Sequence, residues 1–78
     1  MPRYYFHIRD GDKIAHDPEG ADFVDLASAE AEAVKSAREL LSQRVFDGEL
    51  VDGQAFELTD ENGSIAAVVK FKDVLRLT

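Results

Sequence analysis

The chain has 78 residues, of which 45% are apolar, with five Phe, two Tyr and no Trp, enough for one small core and too apolar for a disordered tail. It contains no cysteine, which excludes disulfides, thiolate nucleophiles and thiolate-bound zinc or iron–sulfur centres. Sixteen carboxylates against nine Lys and Arg give a formal net charge of −7, which argues against a surface built to neutralise phosphates.

A single domain over residues 1–78 is expected, in a reducing cytoplasm, because small secreted domains commonly depend on disulfides. The opening MPRYYFHIRD lacks the apolar stretch of a signal peptide. The longest apolar run, Ile65 to Val69, is far shorter than the ~20 residues that span a bilayer. No membrane partner is expected.

Residues Arg3 to Arg9 are rich in aromatic and β-branched side chains and run into Asp10-Gly11-Asp12, a strand followed by a turn. An odd-length loop would pair Ile8 with Ile14 and Phe6 with His16. It would gather Tyr4, Phe6, Ile8 and Ile14 on one face and leave Tyr5, His7, Arg9, Lys13, Ala15 and Asp17 on the other. One clean apolar face is what a sheet covered on one side requires, so this register is the expected one. Asp17-Pro18-Glu19-Gly20 reads as a turn, and Ala21 to Val24 as an extended connector.

Asp25 is a good N-cap for a helix from Leu26 to about Phe46, a stretch with no Gly or Pro. Leu26, Ala29, Ala33, Ala37, Leu40 and Leu41 recur at three- and four-residue spacing, with Val34 and Val45 less squarely placed. The small alanines allow close approach to a sheet, while Glu30, Lys35, Arg38 and Gln43 fall on the opposite side. Asp47-Gly48 supplies the stop signal.

Glu49 to Gln54 reads as a loop with Gly53 as its turn position. The strand Ala55–Thr59 carries Phe56 and Leu58 inward, Asp60-Glu61-Asn62-Gly63 forms a hairpin turn, and Ser64–Phe71 is the last strand. Pairing Leu58 with Ile65 and Phe56 with Ala67 keeps the core face continuous through Val69 and Phe71. Val74, Leu75 and Leu77 predict a packed tail, as strand or helical turn. The fold class is α+β: β-hairpin, one long helix, β-hairpin (ββαββ), with the helix on one face of an antiparallel sheet.

The MPRYYFHIRDGD opening, the DPEG turn, the Ala- and Glu-rich helix after Asp25-Leu26, and ELTDENG followed by VVKFKD resemble a family of small bacterial proteins. Its members begin with a Pro-Arg-Tyr-Phe-Phe-His-like strand and an Arg-Asp-Gly turn. The family is a domain of unknown function, so the resemblance implies the element order and a bacterial cytoplasmic origin and supplies no catalytic or binding residue. The first half is also similar in pattern to small antitoxin domains, which would imply a partner-binding role.

In the expected register His7 points outward and His16 toward the core, so they would not share an ion, and zinc normally takes three or four ligands. Asp10 and Asp12 lack the spaced oxygen ligands of an EF-hand. The turn carboxylates Asp10, Asp12, Asp17 and Glu19 read as solvated loop residues rather than an acid–base pair. Ser28, Ser36, Ser42 and Ser64 have no histidine partner, and the glycines occur singly. No catalytic residue, metal site or cofactor is expected, and an enzyme centred on His7, Asp10 and Asp12 is the least supported reading.

Tyr5, His7, Arg9 and Lys13 on the first hairpin, with Ala66, Val68, Lys70 and Lys72 on the second, would form a basic, aromatic and partly apolar outer face. Such a face is a solvated surface, a two-fold homodimer interface, or a platform for single-stranded nucleic acid stacking on Tyr5 and His7. Glu57 and Asp17 on that face weigh against nucleic acid. The expectation is a non-enzymatic protein-interaction or regulatory module, homodimeric through Tyr5, His7, Arg9, Lys13, Ala66, Val68 and Lys70. The alternative is a ligand- or nucleic-acid-binding domain using the same face.

Overall fold

A computed structural model describes residues 1–46 and 53–74, with the backbone alone for 41–46. Strand β1 (Arg3–Asp10) turns back into β2 (Lys13–Ala15), and a two-residue strand β3 (Ala21–Asp22) precedes helix α1 (Leu26–Phe46). Strands β4 (Gln54–Thr59) and β5 (Ile65–Lys70) follow, and one helical turn, α2 (Phe71–Val74), closes the described chain. The sheet runs β2-β1-β4-β5, wholly antiparallel, with β3 paired to the N-terminal end of β1. The α+β class and the helix on one sheet face match the expectation from the sequence.

The helix forms where its residues favour it. The Asp25 carboxylate accepts the Ser28 N–H at 2.8 Å, the N-cap to N3 bond, and the Asp25 carbonyl accepts the Ala29 N–H, the first bond of the helical ladder. Ala29, Ala33 and Ala37 are fully buried against the sheet, and Leu26, Val34 and Leu40 flank them. Three methyl-sized residues at four-residue spacing let the helix backbone sit close to the strands. The side chains of Leu41 and Val45, the Asp47-Gly48 stop, most of the loop before Gly53, and Leu75 and Leu77 lie outside the described residues.

The core face of the sheet carries Tyr4, Phe6 and Ile8 from β1, Phe56 and Leu58 from β4, and Ala67 and Val69 from β5. Aromatic rings run through it as a ladder. Phe23 stacks on Phe6 at 5.6 Å, Phe6 meets Phe56 at 5.8 Å, and Phe56 meets Phe71 edge-on at 5.1 Å. Phe23 comes from the stretch read as a plain connector, and its ring closes one end of the core.

Three details correct the sequence reading. The first hairpin pairs Ile8 with Ala15, Arg9 with Ile14 and Asp10 with Lys13, a two-residue Gly11-Asp12 loop rather than an odd one. Gly11 has φ +65° and Asp12 does not have a positive φ, the pattern of a turn with glycine first. The slip places Ile14 on the outer face and Ala15 on the core side. The second hairpin pairs Leu58 with Ala67 and Phe56 with Val69, two residues from the expected register, with Ala66 left over as a bulge. The two-residue slip keeps Ala67 and Val69 on the core face, but the bulge turns Ile65, expected in the core opposite Leu58, to the outer face opposite Thr59, where it is exposed. Finally, Phe71 is buried as expected but begins α2 rather than ending β5, and Val74 packs beside it.

Candidate functional site

The outer face of the sheet, opposite α1, collects the residues with chemistry. Its first half is built where the β1–β2 backbone ladder stops at Ala15. The register continues past that point through side chains. The Asp17 N–H donates to His7 Nδ1 at 2.9 Å, and Asp17 Oδ2 accepts the Phe6 N–H at 3.1 Å. The other oxygen, Oδ1, accepts the Glu19 and Gly20 N–H groups at 3.2 Å each, an Asx-turn that folds the DPEG segment. Nδ1 of His7 is thus the acceptor that continues the ladder, in the place a backbone carbonyl would take.

The same register sets His16 directly across from His7. Their rings meet edge to face at 4.9 Å, and Tyr5 stacks on the other side of His7 at 6.2 Å. The expectation that the two histidines face opposite sides is therefore overturned, because a one-residue slip moves every later side chain to the other face. Among the described residues no three His, Asp or Glu side chains come close enough together to hold a metal ion.

Asp17 is partly buried, and burial alone would push its carboxyl up. The N–H donors of Phe6, Gly20 and Glu19, together with the nearby His7, outweigh that and hold it below the ordinary aspartate value of 3.8. Gly20 sits against this cluster with φ +67°, and a Cβ there would lie 2.9 Å from the Tyr5 ring and 3.0 Å from the Tyr4 carbonyl. Glycine is thus required twice over, by backbone conformation and by space. Arg3 ties the segment at its far end, donating to the Glu19 carbonyl at 2.6 Å and pairing with Asp22 at 3.1 Å.

The expected basic surface is less basic than its composition. Arg9 is on the outer face but reaches Glu57 with two nitrogens, at 3.0 and 3.4 Å. The hydrogen bond to Glu57 and its negative charge raise the guanidinium's already high pKa further. Lys13 pairs with Asp10 and so stands on the helix side of the sheet, a correction that follows from the same slip. Lys72 lies in α2. Tyr5, His7, Arg9, Val68 and Lys70 do share the outer face, with Ala66 on its bulge.

The second half of the face is apolar. Ile65 and Val68 on the terminal strand β5 are 55% and 51% exposed, and Ala66 between them is exposed as well. On the neighbouring β4, Ala55 and Thr59 of this face are already buried. No helix among the described residues is long and apolar enough to cross a membrane.

A family model described as a domain of unknown function, DUF6894, matches residues 3–72, from the first residue of β1 into α2. The chain belongs to the DUF6894 family. No curated protein and no solved structure matches it. The DUF6894 span contains both halves of the outer face, so the His7–Asp17 cluster and the β5 patch lie within the family's domain. Sequence reasoning missed two parts of this site, the histidine pair and the bridging role of Asp17. The available signal was an Asp followed by Pro-Glu-Gly at the end of a strand, a pattern whose carboxylate folds back onto the backbone.

Proposed function

We propose that this DUF6894 protein is a non-enzymatic interaction module that self-associates through its sheet, at the uncovered apolar strand β5. The observation that carries the proposal is the exposed apolar run Ile65, Ala66 and Val68 on a terminal strand. Apolar side chains at half exposure on a sheet face gain by being covered, at roughly 25 cal/mol per Å² removed from water. Two-fold assemblies bring one such patch against itself with no second partner to evolve.

The charges support this reading over the nucleic-acid alternative. Arg9 is neutralised by Glu57, and Lys13 faces the other way. A phosphate track on this face would rest on Lys70. The His7 ring, engaged by the Asp17 N–H on one side and by Tyr5 and His16 around it, serves to hold the hairpin.

The test is the solution mass by light scattering over a wide protein concentration range, on the wild type and on Val68→Asp. The expected result is a dimer at high concentration for the wild type and a folded monomer for the variant. A wild-type monomer at every concentration would contradict the proposal.

A further inference from the structure

We infer that the second copy docks on the free edge of β5, its own β5 running antiparallel about a two-fold axis at Val68, so that one sheet continues through both protomers. This rests on the self-association proposed above and names its geometry. Strand β5 ends the path β2-β1-β4-β5, so among the described residues its outer row of N–H and C=O groups is unpaired by the sheet. Such an edge is a template for another strand, and proteins that keep it free normally blunt it with charge, proline or a cover. Here the edge reads Ile65-Ala66-Ala67-Val68-Val69-Lys70, with a single charge at its end.

A groove of about 280 Å³ runs beside this edge. Val34 and Arg38 of α1, Val69 and Lys70 of β5, and Asp73 and Val74 of α2 line it. Its valines are apolar, and its walls carry charges of both signs, as a surface that must complement itself requires. A strand added to the edge sends alternate side chains into this groove, and the partner's Ala67 and the partner's Val69 are small enough to enter it.

The charges along the strand set the register. Basic Lys70 and Lys72 lie at one end of β5, and the Asp60-Glu61 turn lies at the other. Parallel pairing would set like ends together. Antiparallel pairing centred on Val68 sets Val68 against Val68, Lys70 against Ala66, and Lys72 toward the partner's acidic turn. The Asp60 carboxylate is already engaged by the Asn62 and Ser64 N–H groups, which leaves Glu61, exposed at the tip, to meet the lysine.

The chain has no native cysteine, so single cysteines report the geometry directly. Directly opposed residues of an antiparallel pair have Cα atoms ~4.5–5.5 Å apart, within disulfide range. Val68→Cys should oxidise to a covalent dimer at least tenfold faster than Lys13→Cys on the opposite edge of the sheet. Ala66→Cys and Lys70→Cys should cross-link with each other when mixed and far more slowly alone. The mass of each reduced variant is measured first, and the mixed pair tests the register even if Val68→Cys weakens the dimer. A wild-type dimer whose Val68→Cys form and mixed pair both cross-link no faster than Lys13→Cys would overturn edge docking and leave self-association standing. A wild-type monomer at every concentration would remove both.

Discussion

His7 and Asp17 do for the first hairpin what backbone groups do elsewhere in a sheet. Past Ala15 the strand can no longer pair, and an imidazole nitrogen and a carboxylate take over as acceptors in the same register. Each such bond contributes about 1 kcal/mol net, and an orphaned partly buried N–H costs about 1–3 kcal/mol. Asp17→Ala frees three donors at once and should lower the stability by about 2–3 kcal/mol, measurable by urea unfolding. The carboxyl titrates below its ordinary value of 3.8, so the stability it adds is present above that pH and is lost as the pH falls on through the lower folded-state value. Unfolding followed from about pH 6 down to pH 2 should therefore show a loss of stability that is smaller in Asp17→Asn than in the wild type. Gly20→Ala forces a side chain into a left-handed backbone and onto the Tyr5 ring, and should cost about 1–3 kcal/mol. An unchanged midpoint in either Asp17→Ala or Gly20→Ala would refute the picture of this segment as a fastened strap.

At the scale of elements, the parts that were legible in the sequence are those a single periodicity decides. Helix α1 carries its alanine stripe and its cap in plain view, and both hairpins have their turn residues. The first register was not legible, because the apolar pattern and the turn disagree. Burying Ile14 on the core face would gain about 2 kcal/mol. Two cross-strand bonds at about 1 kcal/mol each match that, and the turn with glycine first tips the choice. Ile14 also stays half-buried where it is, so little is forfeited. The histidine pair was hidden for the same reason, since its existence depends on a one-residue slip. Phe23 was missed because an isolated aromatic in a short connector has no periodicity to betray it. The alanine stripe makes its own prediction. Ala33 is fully buried beneath the helix, and Ala33→Leu should destabilise by about 1–3 kcal/mol or more through overpacking. Leu58→Ala, at a fully buried centre of β4, should cost about 2–5 kcal/mol. A tolerated leucine at position 33 would mean that the helix stands off the sheet.

For the whole molecule, the consequence of one helix and one sheet is asymmetry. The helix side holds the aromatic ladder and the alanine stripe, and the other side keeps an ion pair, a fastened hairpin and an uncovered apolar strand. The free edges differ in the same way. Strand β2 is short, begins with Lys13 and follows Asp10 and Asp12, whereas β5 is longer and nearly uncharged. That difference favours association at β5, and amide hydrogen exchange can test it strand by strand. Exchange is measured by NMR at low and high protein concentration, under conditions where the fold itself is stable. Amides of Ile65 to Lys70 should slow as concentration rises, while those of Lys13 to Ala15 keep their rate. Slowing at β2 instead, or no concentration dependence at β5, would contradict association through that edge.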